Sequence, residues 1–165
     1  MTHDELCKRA GRWLASKFKC GVVATEFTTA APESPDAIGF RYGGTWSVLV
    51  ECKVSRSDFH RDKKKSHRIH WEHGMGQERW YLTPPGLLKS EEIPDRWGLA
   101  EVRGKTVRVV KKAAGPNGCA NGRLDDRISR NDLLVLYSIA RRAIHGLGID
   151  TMIGNVKVYE EPEST

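Results

Sequence analysis

A chain of 165 residues that is 39% apolar and 29% charged has the size and composition of a globular protein with one core of its own, which excludes a disordered or membrane-embedded chain. Twenty-seven Lys and Arg against 21 Asp and Glu give a net charge of +6, a balance that attracts polyanions such as nucleic acid without requiring one. No run approaches the roughly 18 apolar residues of a bilayer span, and Met1 to Arg12 lack a signal-type apolar stretch. Cys7, Cys20, Cys52 and Cys119 form no C-x-x-C pair, so the expectation is a cytoplasmic protein with reduced thiols, no zinc ribbon and no membrane partner.

In chain order, Thr2 and Glu5 have the spacing of a capping box, and Leu6, Ala10, Trp13, Leu14 and Phe18 follow at helical period, predicting an amphipathic helix over 3–18. Gly21 ends it. The β-branched and aromatic run Val22, Val23, Thr25, Phe27, Thr28 reads as a first strand, and Ala30 to Ser34 as a loop. A second strand, Asp36 to Tyr42, turns at Gly43-Gly44 into a third, Thr45 to Val54, as an antiparallel hairpin. The charged stretch from Ser57 to about Glu72 reads as a basic helix with Phe59 and Ile69 on its buried side. A fourth strand, Glu78 to Thr83, stops at Pro84-Pro85-Gly86, and Leu99 to Val102 and Thr106 to Val110 flank a hairpin turn at Gly104-Lys105. Ala113 to Arg127 is a Gly- and Asn-rich loop, a candidate substrate-contacting segment. Ser129 caps a last helix carrying Leu133, Leu134, Leu136, Tyr137, Ala140 and Ile144 and closed by Gly146. Val156, Val158 and Tyr159 suit an edge strand, and 160–165 is an acidic tail. The order predicts one α/β domain over 1–159, a central mixed β-sheet flanked by helices.

Chemistry concentrates between Pro35 and Lys65. Side chains alternate along a strand, so Leu49, Glu51 and Lys53 share one face while Val48, Val50 and Cys52 share the other. An antiparallel neighbour that begins at Asp36 brings a second carboxylate toward Glu51 and Lys53. Two carboxylates beside an ammonium suit metal-assisted phosphodiester hydrolysis. Asp36 and Glu51 supply hard oxygen ligands to Mg2+, and Lys53 orients or deprotonates the attacking water and offsets transition-state charge. Lys53 also relieves the crowding of the two acids when no metal is bound.

The sequence P-D, a hairpin of about a dozen residues, E-C-K and a following basic helix resembles the PD-(D/E)XK nuclease superfamily, and K-V-S-R-S-D-F looks like the corresponding stretch of MmcB-related DNA-repair proteins and phage-borne nuclease-like proteins. The resemblance covers about residues 3 to 83 and implies a restriction-endonuclease-like core acting in DNA repair, recombination or phage DNA processing. It implies Asp36, Glu51 and Lys53 as catalytic residues, with Glu5 of the preceding helix joining them. The implied ligands of Mg2+, or of Mn2+ in its place, are Asp36, Glu51 and the Cys52 backbone carbonyl. Ser55 and Asp58, and more remotely Gln77, are the matching supporting residues.

Arg56, Arg61, Lys63, Lys64, Lys65 and Arg68 are candidates to hold backbone phosphates of nucleic acid, most readily DNA, and cutting both strands of a duplex would call for a homodimer. The same residues have plainer readings. Asp36 suits a turn after Pro35, Glu51 and Lys53 suit a surface ion-pair stripe, Glu5 is explained by capping, and a charged helix is commonly a solvated one. His67, His70 and His73 are three apart and do not converge on one ion, and Trp46, Trp80, Tyr81 and Trp97 read as core aromatics. A catalytically inactive nucleic-acid-binding protein on the same fold is the alternative function. On the nuclease reading, Lys53→Ala abolishes cleavage and leaves folding largely intact.

Overall fold

The computed structural model describes residues 1–29, 31, 33–65, 74–114 and 129–147. The first helix, α1 (His3–Lys17), starts where its capping box lies: the Thr2 hydroxyl accepts from the Glu5 N–H at 3.3 Å, and the Glu5 carboxylate accepts from the Thr2 N–H at 2.8 Å. The strands are β1 (Val22–Thr25), β2 (Ala37–Arg41), β3 (Trp46–Cys52), β4 (Glu78–Thr83), β5 (Trp97–Arg103) and β6 (Thr106–Lys111). Among the described residues two further helices, α2 (Arg56–Asp62) and α3 (Arg130–Leu147), follow β3 and β6. The six strands form one sheet in sequence order. β1, β2 and β3 pair antiparallel, β3, β4 and β5 parallel, and β5 with β6 antiparallel. The protein is therefore α/β, with a central mixed sheet and helices on both faces.

β3 is buried along its whole length, which explains why it reads as a nearly continuous apolar run rather than an alternating one. On one face, Val48, Val50 and Cys52 pack with Trp80, Leu82, Ala100 and Val102 under the Leu6, Ala10, Trp13 and Leu14 stripe of α1. On the other, Leu49, Tyr81 and Leu99 pack under Phe59 of α2 and Val135 of α3. The aromatics are core residues: Trp13 and Phe18 meet Trp80 edge-on, and Tyr81 stacks on Trp97 at 4.5 Å.

Three sequence boundaries shift. β1 ends at Thr25 because Glu26 takes φ 49°, so Phe27 leaves the strand and lies under Arg142 of α3 at 4.2 Å. The β2–β3 turn is a short 3-10 segment, Tyr42–Gly44, in which all three residues have positive φ, in place of a two-residue Gly-Gly turn. α2 ends at Asp62, before the described stretch closes at Lys65. Its end tightens into i→i+3 turns, Lys64 N–H to Arg61 O and Lys65 N–H to Asp62 O. The expectations for Arg68, Ile69, His67, His70 and His73, most of the 113–127 loop, the 156–159 strand and the 160–165 tail lie outside the described residues.

Gly76 sits where β4 approaches β3. Its φ is 82°, and a Cβ there would lie 2.4 Å from the Leu49 side chain, while its N–H is held by Asp132 Oδ1 at 3.0 Å. Gly76→Ala should cost about 1–3 kcal/mol through backbone strain and overpacking. Thermal melting checks this, and a variant that melts with the parent would contradict it. Among the described residues, no helix is long and apolar enough to cross a membrane.

Candidate active site

The β2–β3 register pairs Ala37 with Val50. One step beyond, Asp36 stands at the end of β2 beside Glu51, and its Oδ2 accepts from the Cys52 N–H at 2.8 Å. The short hairpin visible in the sequence thus sets the spacing of the two acids. The chain beyond β3 stays beside β4, the Lys53 N–H donating to Leu82 O at 3.0 Å, which fixes where the lysine leaves the sheet. Its ammonium donates to Glu51 Oε2 at 2.8 Å and lies 3.9 Å from Asp36 Oδ2. Asp36, Glu51 and Lys53 therefore gather around one point. A surface stripe is excluded, because Glu51 and Lys53 are 2% and 3% exposed.

A third carboxylate completes the cluster. Asp62 Oδ1 is 3.5 Å from Lys53 Nζ and 3.1 Å from Lys65 Nζ, and its Oδ2 accepts from the Tyr81 hydroxyl at 2.9 Å. The sequence pattern places Asp62 in a basic helix and gives it no role. A signal is nevertheless there, since Asp62 follows Phe59 by three residues and so shares the helix face that Phe59 buries. Tyr81 reads only as core from the sequence, yet its register partner is Glu51.

Burial, the largest single influence on Lys53, pushes its pKa down, but Glu51, Asp62 and Asp36 together reverse this and hold it above the ordinary lysine value. The group is an ammonium at neutral pH, suited to offsetting charge and poorly suited to removing a proton. The three carboxylates around it offer only hard oxygen donors. That donor set fits Mg2+, which takes one or two protein carboxylates and keeps its remaining waters.

The structure does not bring every expected residue here. Glu5 is exposed and its carboxylate is committed to the Thr2 N–H, which also lowers its pKa. The residue α1 turns toward Asp36 is His3, with Nε2 3.5 Å from Oδ1. Gln77 is tied to Ser47, accepting from its N–H at 2.8 Å, at the opposite end of β3 from Glu51. Parallel pairing of β3 with β4 puts the start of one beside the start of the other, so a residue preceding β4 cannot reach the end of β3. Ser55 and Asp58 act through α2: the Ser55 hydroxyl is its N-cap and accepts from the Asp58 N–H at 3.2 Å, setting the helix that carries Asp62. The Cys52 side chain points away into the α1 layer, where contact with Cys7 and then burial raise its pKa.

The basic residues of α2 and of the turn that follows it are largely engaged within the protein. Arg56 pairs with the Glu92 carboxylate and donates to Leu87 O at 3.1 Å, and Lys63 donates to Glu92 O at 2.8 Å. Lys65 serves Asp62, and Arg61 is 3.8 Å from Asp58 but 80% exposed. Arg61 and Lys64 are thus the cations best placed for a phosphate. On the nuclease reading, Ala substitution of these two should reduce the salt dependence of nucleic-acid binding, by about one in log–log slope for each phosphate no longer neutralised, whereas Arg56→Ala should leave the slope unchanged. Binding measured across a salt series checks this, and equal slopes for all three variants would contradict it.

The buried position of Lys53 also corrects the expectation that Lys53→Ala leaves folding intact, since that change takes away the cation that two buried carboxylates share.

No family model and no curated protein matches the chain. Among solved structures it is similar to the SPO1766 protein of Silicibacter pomeroyi, a protein of unknown function, with a TM-score of 0.58 and 20% identity over 97% of this chain and 99% of that one. At that identity the likeness bears on the fold alone: a central mixed sheet with flanking helices.

Proposed function

We propose that the chain is a Mg2+-dependent nuclease of the PD-(D/E)XK type, acting on phosphodiester bonds in DNA, in repair, recombination or phage DNA processing. The observation that carries the reading is the convergence of Asp36 and Glu51 on the Lys53 ammonium, at 3.9 and 2.8 Å, at one end of the sheet. A surface ion pair needs no such burial, and a turn-forming aspartate needs no second acid.

In this reading Asp36 and Glu51 hold Mg2+, with Mn2+ as a substitute. When bound, the metal supplies charge stabilisation on phosphate oxygens and lowers the pKa of a coordinated water. The chain's own residues do the rest. The Cys52 N–H fixes one oxygen of Asp36 and so orients the carboxylate. Lys53, held as an ammonium, sits ready to offset negative charge that develops on the phosphate. Asp62, itself anchored by Tyr81, positions the Lys53 ammonium. Arg61 and Lys64 hold the backbone of the nucleic acid without reading its sequence. Cys7, Cys20 and Cys52 are free thiols, which suits a reducing cytoplasm.

The test is cleavage of linear duplex, branched, single-stranded and RNA substrates by the purified protein in Mg2+, Mn2+ and EDTA. Metal-stimulated hydrolysis of at least one DNA substrate, abolished by EDTA, is the expected result. Salt-sensitive retention of DNA with no hydrolysis in either metal would replace the nuclease by a binding protein on the same fold.

A further inference from the structure

We propose that His3, Cys7 and Asp36 form a second metal site, one for a borderline-soft divalent cation of the zinc type, at the junction of α1 and β2. It goes beyond the nuclease reading and does not depend on it, sharing only Asp36 with the carboxylate cluster.

One ligand atom from each of the three residues lies within 4.8 Å of the other two. Cys7 Sγ lies against the His3 ring, 3.5 Å from Nδ1 and 3.8 Å from Nε2, and Nε2 is 3.5 Å from Asp36 Oδ1. A tetrahedral zinc ion with sulfur at about 2.3 Å and nitrogen and oxygen at about 2.0–2.1 Å separates its ligands by about 3.3–3.6 Å. The His3–Asp36 edge therefore already has the right length, and the imidazole has to turn about its Cβ–Cγ bond to aim Nε2 at an ion held by the Cys7 sulfur.

The local fold makes this placement. His3 and Cys7 are one helical turn apart, so α1 presents them on the same side, and Asp36 meets them where the strand that follows it begins. Asp36 divides its oxygens: Oδ2 accepts from the Cys52 N–H and faces Lys53, while Oδ1 faces His3. On the other side of the imidazole, Glu26 Oε1 is 4.0 Å from Nδ1. A carboxylate behind the second ring nitrogen is how metal-binding histidines are commonly oriented and made more basic. Glu26 is brought there by its own positive φ of 49° and by its N–H, which donates to Asp36 O at 2.9 Å.

Thiolate, imidazole and carboxylate together favour zinc over magnesium, since sulfur and nitrogen donors suit the softer ion. Cys7 is fully buried while the His3 side chain is 37% exposed, so an ion would enter past the imidazole. Three protein ligands leave a fourth position for water. Packing alone accounts for a buried cysteine; here an imidazole also lies against its sulfur, with a carboxylate near each ring nitrogen.

The full-length chain titrated with Co2+, a spectroscopic stand-in for zinc, tests the proposal. We expect one equivalent to bind with a thiolate-to-cobalt charge-transfer band in the near ultraviolet, displaced by Zn2+. Cys7→Ser should lose that band. His3→Ala, at a half-exposed position that the fold tolerates, should weaken Co2+ binding about tenfold or more, and Glu51→Gln should leave the band unchanged. Circular dichroism of each variant establishes that it is folded. Absence of a thiolate band, its survival in folded Cys7→Ser, undiminished affinity in His3→Ala, or its loss in folded Glu51→Gln would each overturn the assignment.

Discussion

Replacing Lys53 with alanine should lower the free energy of unfolding by about 3–5 kcal/mol at neutral pH, because it takes from buried carboxylates the cation they share. Glu51 is 2% exposed and Asp62 is 1% exposed, and both lie within 3.5 Å of the ammonium that the change removes. That is a large share of the roughly 5–15 kcal/mol that holds an ordinary domain together. Lys53→Ala combined with Glu51→Gln should be more stable than Lys53→Ala alone, since the second change neutralises one of the buried charges. A double-mutant cycle from denaturant unfolding reads the coupling.

The pH dependence follows from the direction of the Lys53 shift. Its folded pKa is raised, so its contribution is fully present below the unfolded lysine value of about 10.4 and is lost as pH rises through the folded value. The parent should therefore lose stability in strong alkali through this group, and Lys53→Ala should lack that loss. The deficit of the variant should shrink in acid, where its buried carboxylates can take up protons. A Lys53→Ala protein as stable as the parent at pH 7 would contradict the buried cluster.

The second large effect concerns catalysis and needs a gentler substitution. Glu51→Gln keeps the shape of the side chain and an oxygen to accept from Lys53, while Asp36 and Asp62 continue to face the ammonium. On the nuclease reading it removes a charged metal ligand. Mg2+-dependent cleavage should then fall about 10²–10³-fold or more, the scale on which losing one group that stabilises transition-state charge is felt, with the melting transition still cooperative. Asp36→Asn should act in the same direction, because an amide oxygen can still accept from the Cys52 N–H but carries no charge. Single-turnover rates across a Mg2+ series give the answer. An unchanged rate at unchanged Mg2+ dependence in folded Glu51→Gln would remove this pair from the reaction. Glu51→Gln is a sharper probe of catalysis than Lys53→Ala, whose loss of activity would not separate chemistry from unfolding.

Much of this molecule is written in local pattern. The α1 capping box and its apolar stripe, the β2–β3 hairpin, the strand at Glu78–Thr83 and the Gly104-Lys105 turn are all set by residues within a few positions of one another, so period and turn chemistry suffice to find them. Alternation along β3 likewise puts Glu51 and Lys53 on one face, and a short hairpin leaves Asp36 no other strand end to occupy. What tertiary structure decided was which charges meet. Sequence periodicity places Arg56 and Lys63 on a basic segment, but only packing gives both of them Glu92 as a partner, 36 and 29 positions away. It decided that His3 and Cys7 reach Asp36, and that Gln77 lies at the wrong end of a parallel pair. The reason is physical: secondary structure is fixed by neighbours along the chain, whereas the burial of a charge depends on everything folded around it, and no local pattern carries that information.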